Sequence, residues 1–301
     1  MTIKTANFPT VPWDPATDFR SGQRAHKAPD ANDWDEVMAE VVAMTTQLYP
    51  IGSDSMLWVA PHGKSTASGS ITNPYASIAL ALAAVTADDT TICVMPGTYT
   101  HAATLAIVGT YTGIKIVGIG GSDVTILDHT TDDDAAISII PAIATAFVVT
   151  IRGITVLQYA AKIGIAIDDT GQTANGITVN LDDVKLTMDT TGDSLDVTHA
   201  VDVALLLNID KCVFTGLTDL DIKNTSDVFT FRFCQLKGVA SDASAVAMSI
   251  RLFHTALTAI TGGNAAQVVH AIACTAEADL TLFVAADVTG SQTVTLAAAL
   301  S

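Results

Sequence analysis

The residues Gly63-Lys64-Ser65-Thr66, within the stretch WVAPHGKSTASGS (58–70), reproduce the tail of a phosphate-binding loop. Such a loop needs Gly-x4-Gly-Lys-Ser/Thr, because the glycine amides wrap the phosphates at the start of a helix. The first glycine would fall at position 58, which is Trp58, and the residues after Lys64 are rich in serine and glycine. Nucleotide binding is therefore not expected. Gly118-x-Gly120 lacks the third glycine of a dinucleotide fingerprint and reads as a turn.

Other reactive side chains are dispersed. His26, His62, His101, His129, His199, His254 and His270 show no HExxH or other metal-binding spacing. Asp132-Asp133-Asp134 reads as an exposed turn and lacks the spacing of an EF-hand loop. The cysteines Cys93, Cys212, Cys234 and Cys274 are far apart, with no CxxC pair. No catalytic triad, cofactor site or metal site is assigned from these residues.

Composition narrows the class. Hydrophobic residues make up 49% of the 301 and charged residues only 15%, so a lone copy would expose large apolar patches and an oligomer is expected. The net charge of −17 repels phosphate backbones, which argues against nucleic-acid binding. Only Glu36, Glu40 and Glu277 are glutamates; the other acids are aspartates, which favour turns over helix interiors. The first residues lack a signal-peptide core, and the longest apolar run, 135–151, is interrupted by Pro141 and polar residues, so no membrane span is expected.

Residues 1–30 read as an extended arm containing Pro9, Pro12, Pro15 and Pro29. Lys4, Arg20, Arg24 and Lys27 against Asp14 and Asp18 make residues 1–27 net +2, while the rest carries ten bases and 29 acids. An arm of opposite sign to its body suits docking, with Trp13, Phe19 and Trp34 as further contact residues; a disordered tail is the other reading. In the next segment, 31–56, Asp33 and Glu36 fit a capping box, and Val37, Val41, Met44 and Leu48 form one helical stripe ended by Pro50. That stripe either packs on its own domain or meets symmetry mates.

Asn73-Pro74 is expected to open a second helix over 74–87, with Ile78, Leu82 and Val85 inward. Short strands come next, one of them ended at Pro96-Gly97 and two flanking the Gly-Gly turn near 120. From residue 150 the pattern apolar-x-x-apolar-x-apolar recurs: Ile151/Ile154/Val156, Leu181/Val184/Leu186, Ile209/Cys212/Phe214 and Phe231/Cys234/Leu236, with a weaker copy at Ile250 and Phe253. Irregular spacing around a constant short motif predicts stacked coils with variable turns, a parallel β-helix. Cys212 and Cys234 would stack in its core, as a disulfide or as two buried thiols. The outward second position reads Arg152, Asp182, Asp210, Arg232 and Arg251, which predicts an exposed Asp210–Arg232 ion pair. The third position reads Gly153, Asp183, Lys211, Phe233 and Leu252; its apolar end, Phe233 and Leu252, is the expected subunit interface. Residues 263–301 read as further strands, either a closing hairpin or a pair shared between subunits.

The segment LWVAPHGKSTASGSITNPYASIALALAAV followed by TTICVMPGTYT resembles the opening of pectate-lyase-like right-handed β-helix proteins. The match places a V-P-x-G-type strand at 59–63, a capping helix at 73–85 and a first coil entered through Pro-Gly-Thr-Tyr. It implies an all-β, right-handed parallel β-helix over 57–262. The preceding arm and ANDWDEVMAEV helix look like N-terminal regions of tailed-phage virion proteins. Polysaccharide cleavage, common in this family, would use an Arg or Lys base or two facing carboxylates about 5–9.5 Å apart. The candidates are Asp182, Asp183, Asp210, Lys211 and Arg232. Their other reading, as solvated outer faces and turns, is preferred, because Trp13, Trp34 and Trp58 all precede the coils and Tyr159 is the only tyrosine after Tyr111. The expected function is thus structural: a homotrimeric capsid decoration or cement protein on a phage surface, bound to other virion proteins by its arm. The alternative is a short tailspike or fibre that binds or cleaves surface polysaccharide.

Overall fold

The computed structural model describes residues 56–108, 111–130, 135–140, 146–158, 162–168, 176–188, 192–199, 204–222, 227–241, 249–257, 260–262, 268–272 and 275–276. The chain divides into two units, Met1–Ile51 and Gly52–Ser301, and every described residue belongs to the second. Lys4, Trp13, Phe19, Arg20, Arg24, Lys27 and Trp34 lie outside the described residues, as do the helix expected near 33–48, the acidic run 132–134 and the segment beyond 276.

Every pairing between the described strands is parallel, and the pairings form three ladders. Each coil contributes one strand to each ladder in turn, so the unit is a parallel β-helix. The first ladder stacks Leu57, Ile92, Ile116, Ile151, Leu181, Ile209, Phe231, Leu252 and Ala271 in one register column. From Ile92 to Leu252 every member of that column is at most 2% exposed. β-Branched and aromatic side chains suit a pleated surface stacked at about 4.8 Å, and alternation sends every second residue inward. Phe147, Phe214 and Phe229 fill the remaining interior.

The triplets from Ile151 to Leu236 are in register as expected. The fifth copy is not Ile250/Phe253. Leu252 pairs with Phe231, which makes the triplet Leu252/Thr255/Leu257. Thr255 is polar yet fully buried, and this hid the copy from a search for apolar residues. The ladders also continue past residue 262, through Val268–Ile272 and Thr275–Ala276.

The capping helix is shorter than expected, Ile78–Ala83, and Ser77 caps it by accepting from the Leu80 amide at 3.3 Å. Asn73-Pro74 does not start it. Asn73 donates its amide to Ser70 O, Pro74 O accepts from the Lys64 amide, and Tyr75 bridges the first strand. The Asn-Pro pair therefore closes a loop against Met56–Lys64, and the helix begins only after that backbone is satisfied. Ile78 and Ala81 then face the core.

Between the first and second ladders the chain turns at a single residue with left-handed backbone: Gly153 (φ 66°), Asp183 (φ 53°), Lys211 (φ 53°), Phe233 (φ 52°) and His254 (φ 47°). These stack as one corner column. Glycine, Asp and His tolerate this conformation better than lysine and phenylalanine do.

Candidate functional site

The expected catalytic candidates do come together, at this corner and on the outward face of the first ladder beside it. Arg152, Asp182, Asp210, Arg232 and Phe253 occupy one outward register column. Arg152 Nε lies 3.1 Å from Asp182 Oδ2. Lys211, projecting from the corner, reaches back to both acids, 3.6 Å from Asp182 and 3.3 Å from Asp210. Asp210 therefore takes Lys211 as its partner, not Arg232 as the sequence suggested. The left-handed backbone at Lys211 aims its side chain at the two preceding outward positions, which a count of residues along the strand does not reveal.

This geometry suits a scaffold better than proton transfer. The hydrogen bond that Lys211 donates to Asp210 and the charge of Asp182 push the Lys211 pKa up, holding the ammonium charged. A lysine that abstracts a proton needs the opposite shift. Asp182 and Asp210, the nearest thing to a facing carboxylate pair, share that one cation. Asp183 turns away from them. Its carboxylate accepts from the Ser122 amide at 3.1 Å and from Ser122 Oγ at 2.8 Å, 61 residues earlier in the chain. Thr155 Oγ1 donates to Ser122 O at 2.7 Å, and Lys185 pairs with Asp123, so the loop after Gly118 is tied down from two later coils. One column inward along the same face, Asn208 Nδ2 donates to Asn180 Oδ1 at 3.0 Å, and Asn180 Nδ2 donates to Thr150 Oγ1 at 3.3 Å. Polar side chains thus link coil to coil.

Cys212 and Cys234 are buried free thiols at equivalent positions of adjacent coils, as the stacking required. Cys212 Sγ donates to Asp210 O at 3.2 Å, Cys234 Sγ to Arg232 O at 3.1 Å, and Thr255 Oγ1 to Phe253 O at 3.1 Å. The position is a donor site just past the corner, and its hydrogen bonds explain why Thr can replace Cys there. Contact with Cys234 and burial push the Cys212 thiol up, away from reactivity.

Phe233 projects outward at 57% exposure and stacks on His254 with ring centroids 5.2 Å apart and planes 3° from parallel. Leu252 is 1% exposed and belongs to the core; the observed register puts His254 at the corner position that the spacing assigned to Leu252. Arg251 likewise leaves the Arg152–Arg232 column, and Phe253 takes its place.

A polar pair in the second ladder, His129 buried and His101 half-buried, gave no sequence signal. His101 and His129 stack in register, ring centroids 4.6 Å apart. His129 Nδ1 lies 2.6 Å from Gln158 Oε1, and His101 Nδ1 lies 2.8 Å from Ala103 O. They are 28 residues apart in sequence, so only the register brings them together.

Gly63 and Lys64 belong to the strand Met56–Lys64, with Gly63 packed under the Tyr75 backbone. A cleft of about 410 Å³ lies beside the capping helix, lined by Leu82, Val85, Leu105, Val108, Tyr111 and Ile114 among others, none of which belongs to the charged corner. Among the described residues no group of three or more His, Cys, Asp or Glu could hold a metal ion, and no helix is long and apolar enough to cross a membrane. No protein-family model matches the chain, and no curated protein matches it.

Proposed function

We propose that the chain is a structural protein of a bacteriophage virion, a homotrimeric decoration or cement protein held to other virion proteins by its basic, proline-rich arm. The observation that carries this reading is the use made of the outward charges. Of the side chains a glycan-cleaving site would draw on, Asp182, Asp183, Asp210 and Lys211 bind one another or tie a loop to a later coil, and Arg232 alone, among the described residues, has no ion pair. A solenoid braced in this way suits a rigid surface element. The resemblance of residues 57–130 to β-helix proteins, and of the arm to phage virion N-termini, supports the same reading. The acidic body suits an exterior position and the basic arm an attachment point.

The test is removal of residues 1–30. The shortened chain is expected to keep its β-sheet circular dichroism and cooperative melting while losing attachment to particles that lack the native protein. A shortened chain that decorates particles as well as the full one would defeat the proposal. Depolymerisation of a host surface glycan by the full chain would replace it with the tailspike reading.

A further inference from the structure

The outward face of the first ladder changes character toward the later coils. Arg152 and Lys211 balance Asp182 and Asp210. Beyond them, Arg232 and Arg251 are exposed and, among the described residues, have no carboxylate within ion-pair distance, although the chain holds 31 acids against 14 bases. Arg251 is level with Thr230, so it stands one strand on from Arg232 and two residues back along it. A strand spacing of ~4.8 Å and a rise of ~3.3 Å per residue put the two Cα atoms about 8 Å apart. Next to Arg232, at the corner, Phe233 is 57% exposed and stacks on His254, with ring centroids 5.2 Å apart and planes 3° from parallel. That separation is close to the ~4.8 Å step between coils, so the two rings are piled along the solenoid. Each covers one face of the other, and the pile turns ring edges outward. Ring edges carry the positive end of the aromatic quadrupole.

We propose that this patch holds an extended acidic segment of another protein, with carboxylates on alternate residues meeting Arg232 and Arg251. In an extended strand, residues i and i+2 share a side and lie ~6.6–6.8 Å apart, a spacing that long arginine side chains match from Cα atoms about 8 Å apart. A guanidinium presents its N–H groups as a fork that takes a carboxylate on two bonds. The carboxylate that meets Arg232 also faces the positive edge of the neighbouring Phe233 ring, so charge and quadrupole act on the same group. The orientation of the rings selects the class of partner. A saccharide packs on an open aromatic face, whereas an anion meets a ring edge. Arginines and aromatic rings are also the residues that carry protein–protein contacts. The carboxylates nearest the patch, Asp182 and Asp210, are already held by Arg152 and Lys211, which leaves the two later arginines for an incoming one. The patch lies on the coils and not on the arm, so the inference stands apart from virion attachment, which the arm deletion tests separately.

The experiment titrates a fluorescent peptide of alternating aspartate and serine with the purified full-length chain, read by anisotropy. Saturable binding is expected at low salt and should weaken as ionic strength rises. The same peptide with asparagine for aspartate should not bind. Arg232→Glu and Arg251→Glu should each weaken binding about tenfold or more. Phe233→Asn should weaken it about threefold, the loss of one ring edge. Asparagine accepts the left-handed corner, so unchanged melting separates a lost contact from lost folding. Lys115→Glu makes the same change of charge at an exposed lysine earlier in the register column of Arg251, and should leave binding unchanged. Absence of saturation at concentrations on the order of hundreds of micromolar overturns the proposal. So do arginine variants that bind as the wild type does, or an equal loss in Lys115→Glu. A uronate oligosaccharide that displaces the peptide at equal concentration would assign the patch to an acidic glycan instead, and an oligomer of the chain that the same arginine variants dissolve would assign it to a second copy; either result overturns the proposal.

Discussion

A methyl group added at Gly63 would overlap the Tyr75 carbonyl and lie 2.7 Å from the Ala76 nitrogen. Backbone cannot yield as a side-chain tip can, so Gly63→Ala is expected to destabilise the fold by about 1–3 kcal/mol, read by urea unfolding. Variants at Lys64, an exposed residue, should leave stability unchanged. His101 supports a second prediction. Its Nδ1 faces a carbonyl and must donate, so its buried Nε2 has no partner for a second proton among the described residues. Burial, chiefly, holds its pKa below 6.5, against the hydrogen bond to the Ala103 carbonyl, with His129 lowering it further and Asp128 opposing. The unfolded chain therefore binds the proton more readily. Stability is fully present above pH 6.5 and declines as pH falls from there through the folded value. Urea midpoints at pH 7.5 and pH 5.0 should show the decline, and His101→Gln should reduce it; an equal slope in the variant would assign the effect elsewhere.

At the scale of elements, the corner explains both what the sequence disclosed and what it concealed. The inward triplets were legible because burial imposes an apolar pattern whatever the coil length, and Ile151, Leu181, Ile209 and Phe231 carry it without exception. The capping helix was legible in its apolar stripe but not in its start, since Pro74 satisfies the helix and loop readings equally until the Lys64 amide is placed. The partners of Lys211 and Asp183 were not legible. Both depend on left-handed backbone at a non-glycine corner residue, which for lysine is uncommon, and on contacts spanning up to 61 residues. Asp183→Ala tests what that contact is worth. It strands the Ser122 amide inside a nearly buried residue and should cost about 1–3 kcal/mol, with faster amide exchange across 119–124. Asp183→Asn keeps both an acceptor and tolerance of the corner and should recover most of the loss. Equal behaviour of the two variants would show that the corner, not the tie to Ser122, sets the stability.

For the whole molecule, the parallel ladders make each coil the neighbour of only the one before and the one after. Stability is then close to a sum of coil and interface contributions, and damage should spread outward from where it is made. Phe231 lies between Ile209 and Leu252 in the core column, fully buried, with the strands Ser249–Phe253 and Val268–Ile272 stacked beyond its own. Phe231→Ala removes a large side chain from a packed interior and is expected to cost about 3–5 kcal/mol. Where the cost falls is the sharper question. In a nearest-neighbour stack, amide protection should drop first in 205–210, 228–232 and 249–253, while 90–94 and 113–118 keep most of theirs until global melting. Protection lost uniformly from residue 90 onward would mean that the coils unfold as one unit. The solenoid would then hold its shape through long-range cooperativity, and a rigid rod assembled from locally braced coils would be the wrong physical picture of this protein.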